Sequence, residues 1–129
     1  MADNLRLSFP REPDSVPAAR AALGQFEGSI GPSQLYDASL CLSELVTNAV
    51  QHPDHDAGGE LELAIALGDD ALRVEVTDPG GNFEPGPPSE GDERGWGLFI
   101  VDQLSSRWGT ESGNDRTVMW FEVERPAIQ

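Results

Sequence analysis

Residues 43–52 read SELVTNAVQH, and this stretch is the most informative part of the 129-residue sequence. Its apolar residues recur at helical spacing, and the pattern extends back to a proline-serine pair that suits the start of a helix. Pro53 disfavours helical geometry just before it, so we predict a helix that starts at residues 32–33 and ends at residue 51 or 52. At about 100° per residue, Glu44 and Asn48 share one flank of this helix and border its apolar stripe without belonging to the core.

Glu44 and Asn48 place a carboxylate and an amide carbonyl one helical turn apart. The carboxylate could orient a hydroxyl or a water molecule, and the carbonyl could ligate a hard cation. Taken alone, a glutamate and an asparagine at this spacing are better explained by an ordinary solvated helix flank. The pair therefore indicates chemistry only in combination with other motifs.

The rest of the chain is predicted to alternate between short strands and helices. The order of elements favours helices layered on one face of a mixed, mostly antiparallel sheet, which is an α+β fold and a two-layer α/β sandwich. At this length we expect one domain over residues 1–129. The predicted elements are a strand with Leu5, Leu7 and Phe9, a helix over 16–26 capped by Asp14 or Ser15, a hairpin with strands at 61–67 and 72–76, a loop over 79–95, a helix over 97–104, and a hairpin with strands at 106–111 and 116–124.

Asp78 continues the core-facing parity of the strand that precedes it, directly before the turn residues Pro79 and Gly80. A carboxylate delivered to the end of a buried row needs a partner. The exocyclic amino group of adenine is one such partner, and an Asx-type turn that closes the strand is the alternative.

Gly95, Trp96 and Gly97 directly precede the predicted third helix. Exposed backbone amides at a helix N-terminus suit a phosphate group, and Trp96 could lie at the rim of such a site. A simple loop-to-helix junction explains the same fragment. Arg94 is the one residue in this region that could bring positive charge to a terminal phosphate.

The charge of the chain excludes several classes of function. The formal net charge is −15, and all eight basic residues are arginines. This composition offers no basic patch for nucleic acid or for an anionic membrane surface. Without lysine, neither the phosphate-binding loop nor the lysine-dependent protein kinase motif can exist. The N-terminus shows no signal-peptide pattern and no apolar run is long enough to span a membrane, so we expect a cytoplasmic protein.

Two further features have plain structural interpretations. Cys41 lies inside an apolar helical pattern, which favours a buried thiol over a nucleophile. His52 and His55 flank a proline and an aspartate, and this arrangement favours a solvated loop over a zinc site.

In chain order, the helix motif, the Asp78 turn and the Gly95 fragment resemble the N box and the two glycine boxes of the GHKL superfamily of ATPases, which have the Bergerat fold. Within it the chain most resembles the small anti-sigma factor serine kinases of sporulation and stress regulation, over nearly its whole length. The resemblance is carried by the first strand, Ala19-Arg20, residues 44–52, residues 77–80, residues 95–98 and residues 116–121.

This resemblance implies ATP and Mg²⁺ as cofactors, with an ATP lid at about residues 79–97. It implies a protein-serine kinase that sequesters a sigma factor and phosphorylates an anti-anti-sigma antagonist of the STAS type, and that forms a homodimer. The implied roles are general base for Glu44, magnesium ligand for Asn48, adenine recognition for Asp78 with support from Thr117, nucleotide contacts for Gly80, Arg94, Gly95, Trp96, Gly97 and Leu98, and partner binding for Arg20.

The chain departs from the family pattern in its lid. The second glycine of the first glycine box is displaced by one residue, in the order Asp78-Pro79-Gly80-Gly81-Asn82. The lid is also short and acidic. The alternative function is therefore a non-catalytic regulatory module, with or without ATP, that acts through protein contact alone.

Overall fold

A computed structural model describes residues 4–51, 59–79, 93–113 and 116–125 of the chain. Those residues form five strands, three α-helices and one 3₁₀ turn. In chain order they are β1 (Asn4–Pro10), α1 (Ser15–Leu23), the 3₁₀ turn (Gly24–Phe26), α2 (Pro32–Gln51), β2 (Glu60–Leu67), β3 (Ala71–Pro79), α3 (Glu93–Leu104), β4 (Arg107–Gly113) and β5 (Arg116–Glu124).

The strands form one sheet in the order β1-β2-β3-β5-β4. Each of the four neighbouring pairs is antiparallel, so the prediction of a mixed sheet is wrong for the described strands. β3 and β4 do run in the same direction and are joined through α3. They form no parallel pair because β5 lies between them and is antiparallel to both. The predicted α+β architecture is confirmed.

The core lies between one face of this sheet and the helices. Alternate residues of the three central strands lie on the helix-covered face of the sheet and are buried, as their strand-period patterns predict. α2 packs against α1, α3, β3 and β5, so it is covered along several sides. The buried strand residues are Leu61, Leu63 and Ile65 on β2, Leu72, Val74 and Val76 on β3, and Met119, Phe121 and Val123 on β5.

Trp120 packs on the opposite face of the sheet. A Cβ atom added to Gly109 would lie 2.9 Å from Cζ2 of Trp120, so the indole ring occupies the space above that glycine. The guanidinium carbon of Arg73 lies 4.1 Å from the ring centroid, within cation–π distance. Because Gly109 has no side chain, the indole of Trp120 can pack directly over the backbone of β4.

The first helix is shorter than its alanine-rich sequence predicts. α1 ends at Leu23 and passes into the 3₁₀ turn, because the low helix propensity of Gly24 favours a tightened last turn. Asp14 is the N-cap residue but makes no side-chain capping bond. The Ser15 hydroxyl instead donates to the carbonyl of Pro10 at 2.5 Å, which ties the helix start to the end of β1.

The third helix begins earlier than predicted, at Glu93 rather than Gly97. The predicted loop over 79–95 is therefore wrong at both ends, since β3 also includes Pro79; residues 80–92 lie outside the described part of the chain. Two glycines near a helix start cost roughly 1 kcal/mol each relative to alanine. The buried turns that follow, at Leu98 and Val101, pack against α2 and offset that cost.

Membrane insertion through these helices is not supported. Among the residues that the structure describes, no helix combines the length and the apolar character needed to cross a bilayer.

Candidate functional site

Asn48 lies in the last two turns of α2 and is only 4% exposed. Its Nδ2 atom is buried and has no hydrogen-bond partner among the described residues. The prediction that it borders the core without belonging to it is wrong, because Asn48 is buried and α2 packs against α3, β3 and β5. A buried amide without a partner costs about 1–3 kcal/mol, which argues against an ordinary solvated flank and for a ligand-binding role.

Glu44 lies one turn before Asn48 and is half-buried. Burial raises the pKa of its carboxyl above the usual value for glutamate. A glutamate with a raised pKa holds a proton more strongly once it has accepted one, so it is a better general base near neutral pH. The partial exposure leaves the carboxylate reachable by a hydroxyl from outside.

Cys41 lies on α2 one helical turn before Glu44, and unlike Glu44 it is fully buried. Burial, and then the charges of Asp37 and Glu44, raise the pKa of the Cys41 thiol to about 12. A thiol in this environment stays protonated at neutral pH and is not a nucleophile. The interpretation of Cys41 as a buried structural residue is confirmed.

Asp78 and Thr117 lie directly opposite each other on β3 and β5. Both belong to the helix-facing side of the sheet and are 5% and 2% exposed. The position of Asp78 at the end of the core-facing row confirms the parity prediction. The antiparallel register brings the hydroxyl-bearing Thr117 beside the carboxylate, which is the arrangement that support of Asp78 by Thr117 requires.

Arg11 is a residue of this region that the sequence did not single out. Its Nη2 atom lies 2.5 Å from Oδ1 of Asp78, and the two side chains are 7% and 8% exposed. The residues are 67 positions apart, so no local spacing could connect them. The only signal in the sequence is general: a buried carboxylate needs a partner, and this chain has eight cations from which to supply it.

The remaining predicted site residues differ in their location and in how much of them the structure describes. Leu98 is buried on α3, and Arg20 is exposed on α1. Gly80, like His52 and His55, lies outside the described residues. The backbone of Arg94, Gly95, Trp96 and Gly97 forms the first turns of α3.

The fold, with a buried asparagine and a half-buried glutamate on the central helix and a buried aspartate at a strand end, has the features expected of an ATPase domain of the Bergerat class. The chain belongs to the histidine kinase-like ATPase domain family, whose model matches residues 9–122. The GHKL resemblance is thereby confirmed.

Curated relatives extend this assignment. The serine-protein kinase RsbW of Oceanobacillus iheyensis is 30% identical over 79% of this chain and 75% of its own length. RsbW of Bacillus subtilis is 28% identical over 91% of this chain and 83% of its own.

A similar solved structure contains the RsbU and RsbW domains of Rv1364c from Mycobacterium tuberculosis. It matches 98% of this chain at a TM-score of 0.74 and 25% identity. This chain spans 33% of that longer protein.

Proposed function

We propose that this chain is an ATP-dependent anti-sigma factor and protein-serine kinase. It would hold a sigma factor inactive by direct binding, and it would phosphorylate a serine of a STAS-type antagonist. The observation that carries the proposal is the pairing on α2 of a half-buried Glu44 with a buried Asn48 whose amide is unsatisfied. Curated relatives named serine-protein kinase support it.

The site fits a magnesium ion through Asn48. A half-turn about the Cβ–Cγ bond exchanges the two terminal atoms of the amide, so the side chain can present its oxygen where Nδ2 has no partner. An amide carbonyl oxygen is a ligand of the hard type that Mg²⁺ accepts. When bound with ATP, the ion would neutralise charge on the phosphate groups. This matters in a chain with a net charge of −15, which repels a polyanion.

Glu44 acts on the attacking group in this proposal. Its carboxylate accepts the proton of the seryl hydroxyl while the serine oxygen forms a bond to the γ-phosphorus. The bond from that phosphorus to the bridging oxygen breaks, and ADP leaves with the electron pair. Burial raises the pKa of Glu44, which suits the residue to holding this proton.

The proposed contacts with ATP involve the adenine base at Asp78 and the phosphates at the start of α3. Asp78 accepts a hydrogen bond from the adenine amino group, and Thr117, its neighbour across the ladder, supports the carboxylate. In this proposal the first turn of α3, which begins at Glu93, offers its free amides and the positive end of its dipole to the phosphates. The residues proposed to contact the nucleotide are Gly80, Arg94, Gly95, Trp96, Gly97 and Leu98.

Partner binding is proposed for α1. Arg20 is exposed there, in a chain with few cations, so it can pair with an acidic residue of the sigma factor or the antagonist. We further propose that the chain acts as a single cytoplasmic domain and as a homodimer.

The alternative is a regulatory module that binds ATP, or has lost it, and acts only by protein contact. The acidic composition of residues 84–93 favours it, since those carboxylates oppose the approach of phosphate. Arg94 is the single cation between Pro79 and Gly97. A module that retains ATP shares the ATP site with the kinase and differs from it only in the transfer of the γ-phosphoryl group.

A transfer assay separates the two. The purified chain is mixed with γ-labelled ATP, Mg²⁺ and each STAS-type antagonist encoded in the same genome, and label on the antagonist is counted. The kinase predicts label on one antagonist and none on the version with its acceptor serine replaced by alanine. ATP binding without label on any antagonist would instead establish the regulatory module.

A further inference from the structure

The ion pair between Arg11 and Asp78 has no use in the proposed reaction. Nη2 of Arg11 and Oδ1 of Asp78 are 2.5 Å apart, and both side chains are more than nine-tenths buried. Asp78 is the residue proposed to accept the adenine amino group. A charged donor that belongs to the chain itself thus lies on one of the two oxygens of the carboxylate that is proposed to read the base.

The position of the Arg11 guanidinium is set by its contacts with Gly59. The Arg11 backbone N–H donates to the carbonyl of Gly59 at 3.2 Å, one residue beyond the Pro10–Glu60 pair that ends the β1–β2 ladder. A Cβ atom on Gly59 would lie 2.5 Å from Nη1 of Arg11 and 2.8 Å from Cζ. The side chain can therefore lie flat over position 59 because that position carries only hydrogen.

We infer that Arg11 competes with adenine for Asp78. The guanidinium of Arg11 occupies the Asp78 carboxylate in the nucleotide-free protein and leaves it when the base binds. The inference rests on the proposed role of Asp78 in reading adenine. It makes Arg11 a determinant of nucleotide affinity, although Arg11 contacts no phosphate in this account.

The energies favour competition over support. A guanidinium–carboxylate hydrogen bond is charged on both sides, and such bonds are roughly twice as strong as bonds between neutral groups. The adenine amino group is neutral, so it replaces the guanidinium on Asp78 at a net loss. The contacts of the phosphates must compensate for that loss. The apparent affinity for ATP is then reduced by the fraction of molecules in which Asp78 is open.

A supporting role for Arg11 predicts the opposite sign. If the guanidinium only oriented Asp78 while the base used the other oxygen, disturbing Arg11 would weaken nucleotide binding. The sign of the affinity change therefore distinguishes the two roles.

Gly59→Ala is the sharpest probe of this contact. The added methyl group would displace the guanidinium, which is the far end of a flexible side chain, and it changes no charge. We expect the Kd of Mg-ATP, measured by isothermal titration calorimetry, to fall by about fivefold or more. Arg11→Gln should shift the Kd in the same direction, although the loss of a positive charge from an acidic chain would by itself weaken ATP binding.

Arg6→Gln is the matched control. Arg6 is exposed on β1, and its substitution removes the same charge without touching Asp78. Its Kd should stay within about twofold of the wild type or rise slightly. Adenosine alone should gain affinity in Gly59→Ala as ATP does, because the competition is at the base.

The outcomes separate this inference from the proposed function. Binding of ATP by the wild type, with equal or weaker binding by Gly59→Ala, overturns the competitor role. Failure of the wild type and both variants to bind Mg-ATP overturns the competitor role and the ATP-binding function together. The loss of the guanidinium beside the buried Asp78 could prevent Arg11→Gln from folding. If circular dichroism shows that Arg11→Gln is unfolded, Gly59→Ala, which keeps the charge, decides between the two roles.

Discussion

Asp78 and Thr117 are direct cross-strand partners, and both are almost fully buried on the helix-facing side of the sheet. The register of β3 and β5 therefore brings a carboxylate and a residue with a hydroxyl group to the same end of the core. Residues that face each other in this way act as a pair, so the proposed adenine contact depends on both strands.

Thr117→Val should weaken ATP binding while the fold persists. Valine keeps the shape of threonine but removes the hydroxyl, and a hydrogen bond to a charged group contributes about 1.5–3 kcal/mol. We therefore expect the Kd of Mg-ATP to rise roughly tenfold or more by calorimetry. Thr117→Ser keeps the hydroxyl and should remain near the wild-type Kd. Wild-type affinity in Thr117→Val would show that the hydroxyl plays no part.

Asn48→Leu should separate stability from ligand binding. The Nδ2 atom of Asn48 is buried without a partner, and such a group costs about 1–3 kcal/mol. An apolar residue of similar shape should leave the nucleotide-free protein as stable as the wild type, or more stable, in urea unfolding. The extra stability that Mg-ATP gives the wild type should disappear. If Mg-ATP stabilises Asn48→Leu as it does the wild type, Asn48 is not the magnesium ligand.

Glu44 should make phosphotransfer depend on pH. Burial raises its pKa, so the rate should fall as the pH decreases through that raised value, where the base becomes protonated. A rate that does not fall over that range would argue against Glu44 as the base.

The same shift has a consequence for stability. The folded protein favours the protonated form of Glu44, so the stability that this preference contributes is fully present below the unfolded pKa of about 4.5 and is lost as the pH rises through the folded pKa. Glu44→Gln lacks this loss. Its free energy of unfolding, relative to that of the wild type, should increase from pH 4 to pH 8 in urea titrations. If the difference in unfolding free energy between Glu44→Gln and the wild type is the same at pH 4 and pH 8, burial does not raise the pKa of Glu44.

Cys41 should resist modification in the native protein. Its thiol is fully buried, and its pKa of about 12 leaves almost no thiolate at pH 8. Ellman's reagent should react with one thiol in guanidinium chloride and with none in buffer over minutes. Rapid reaction in buffer would mean that α2 opens far more often than its packing indicates.

The sequence predicted the long helix well because strong local signals bound it. Pro32 suits a first turn and Pro53 disfavours helix before it, and α2 runs from Pro32 to Gln51. Strand-period patterns likewise predicted the hairpins and the core-facing parity of Asp78.

Other features depend on contacts that no local pattern encodes. The burial of Asn48 follows from the packing of α3 and the sheet on α2, and a helical projection of one segment contains no neighbours. The early start of α3 reflects tertiary packing that outweighs two glycines. The Arg11–Asp78 pair joins residues 67 positions apart, which only the folded sheet brings together.

The account rests most directly on Glu44 as the base in phosphoryl transfer. The decisive measurement is the single-turnover rate of label transfer from γ-labelled Mg-ATP to the acceptor antagonist, for wild type, Glu44→Ala and the exposed control Glu62→Ala. We predict a loss of about 10²–10⁴-fold for Glu44→Ala, with the Kd of ATP within a few fold of the wild type, and a wild-type rate for Glu62→Ala. A Glu44→Ala protein that transfers phosphate as fast as the wild type would contradict the account.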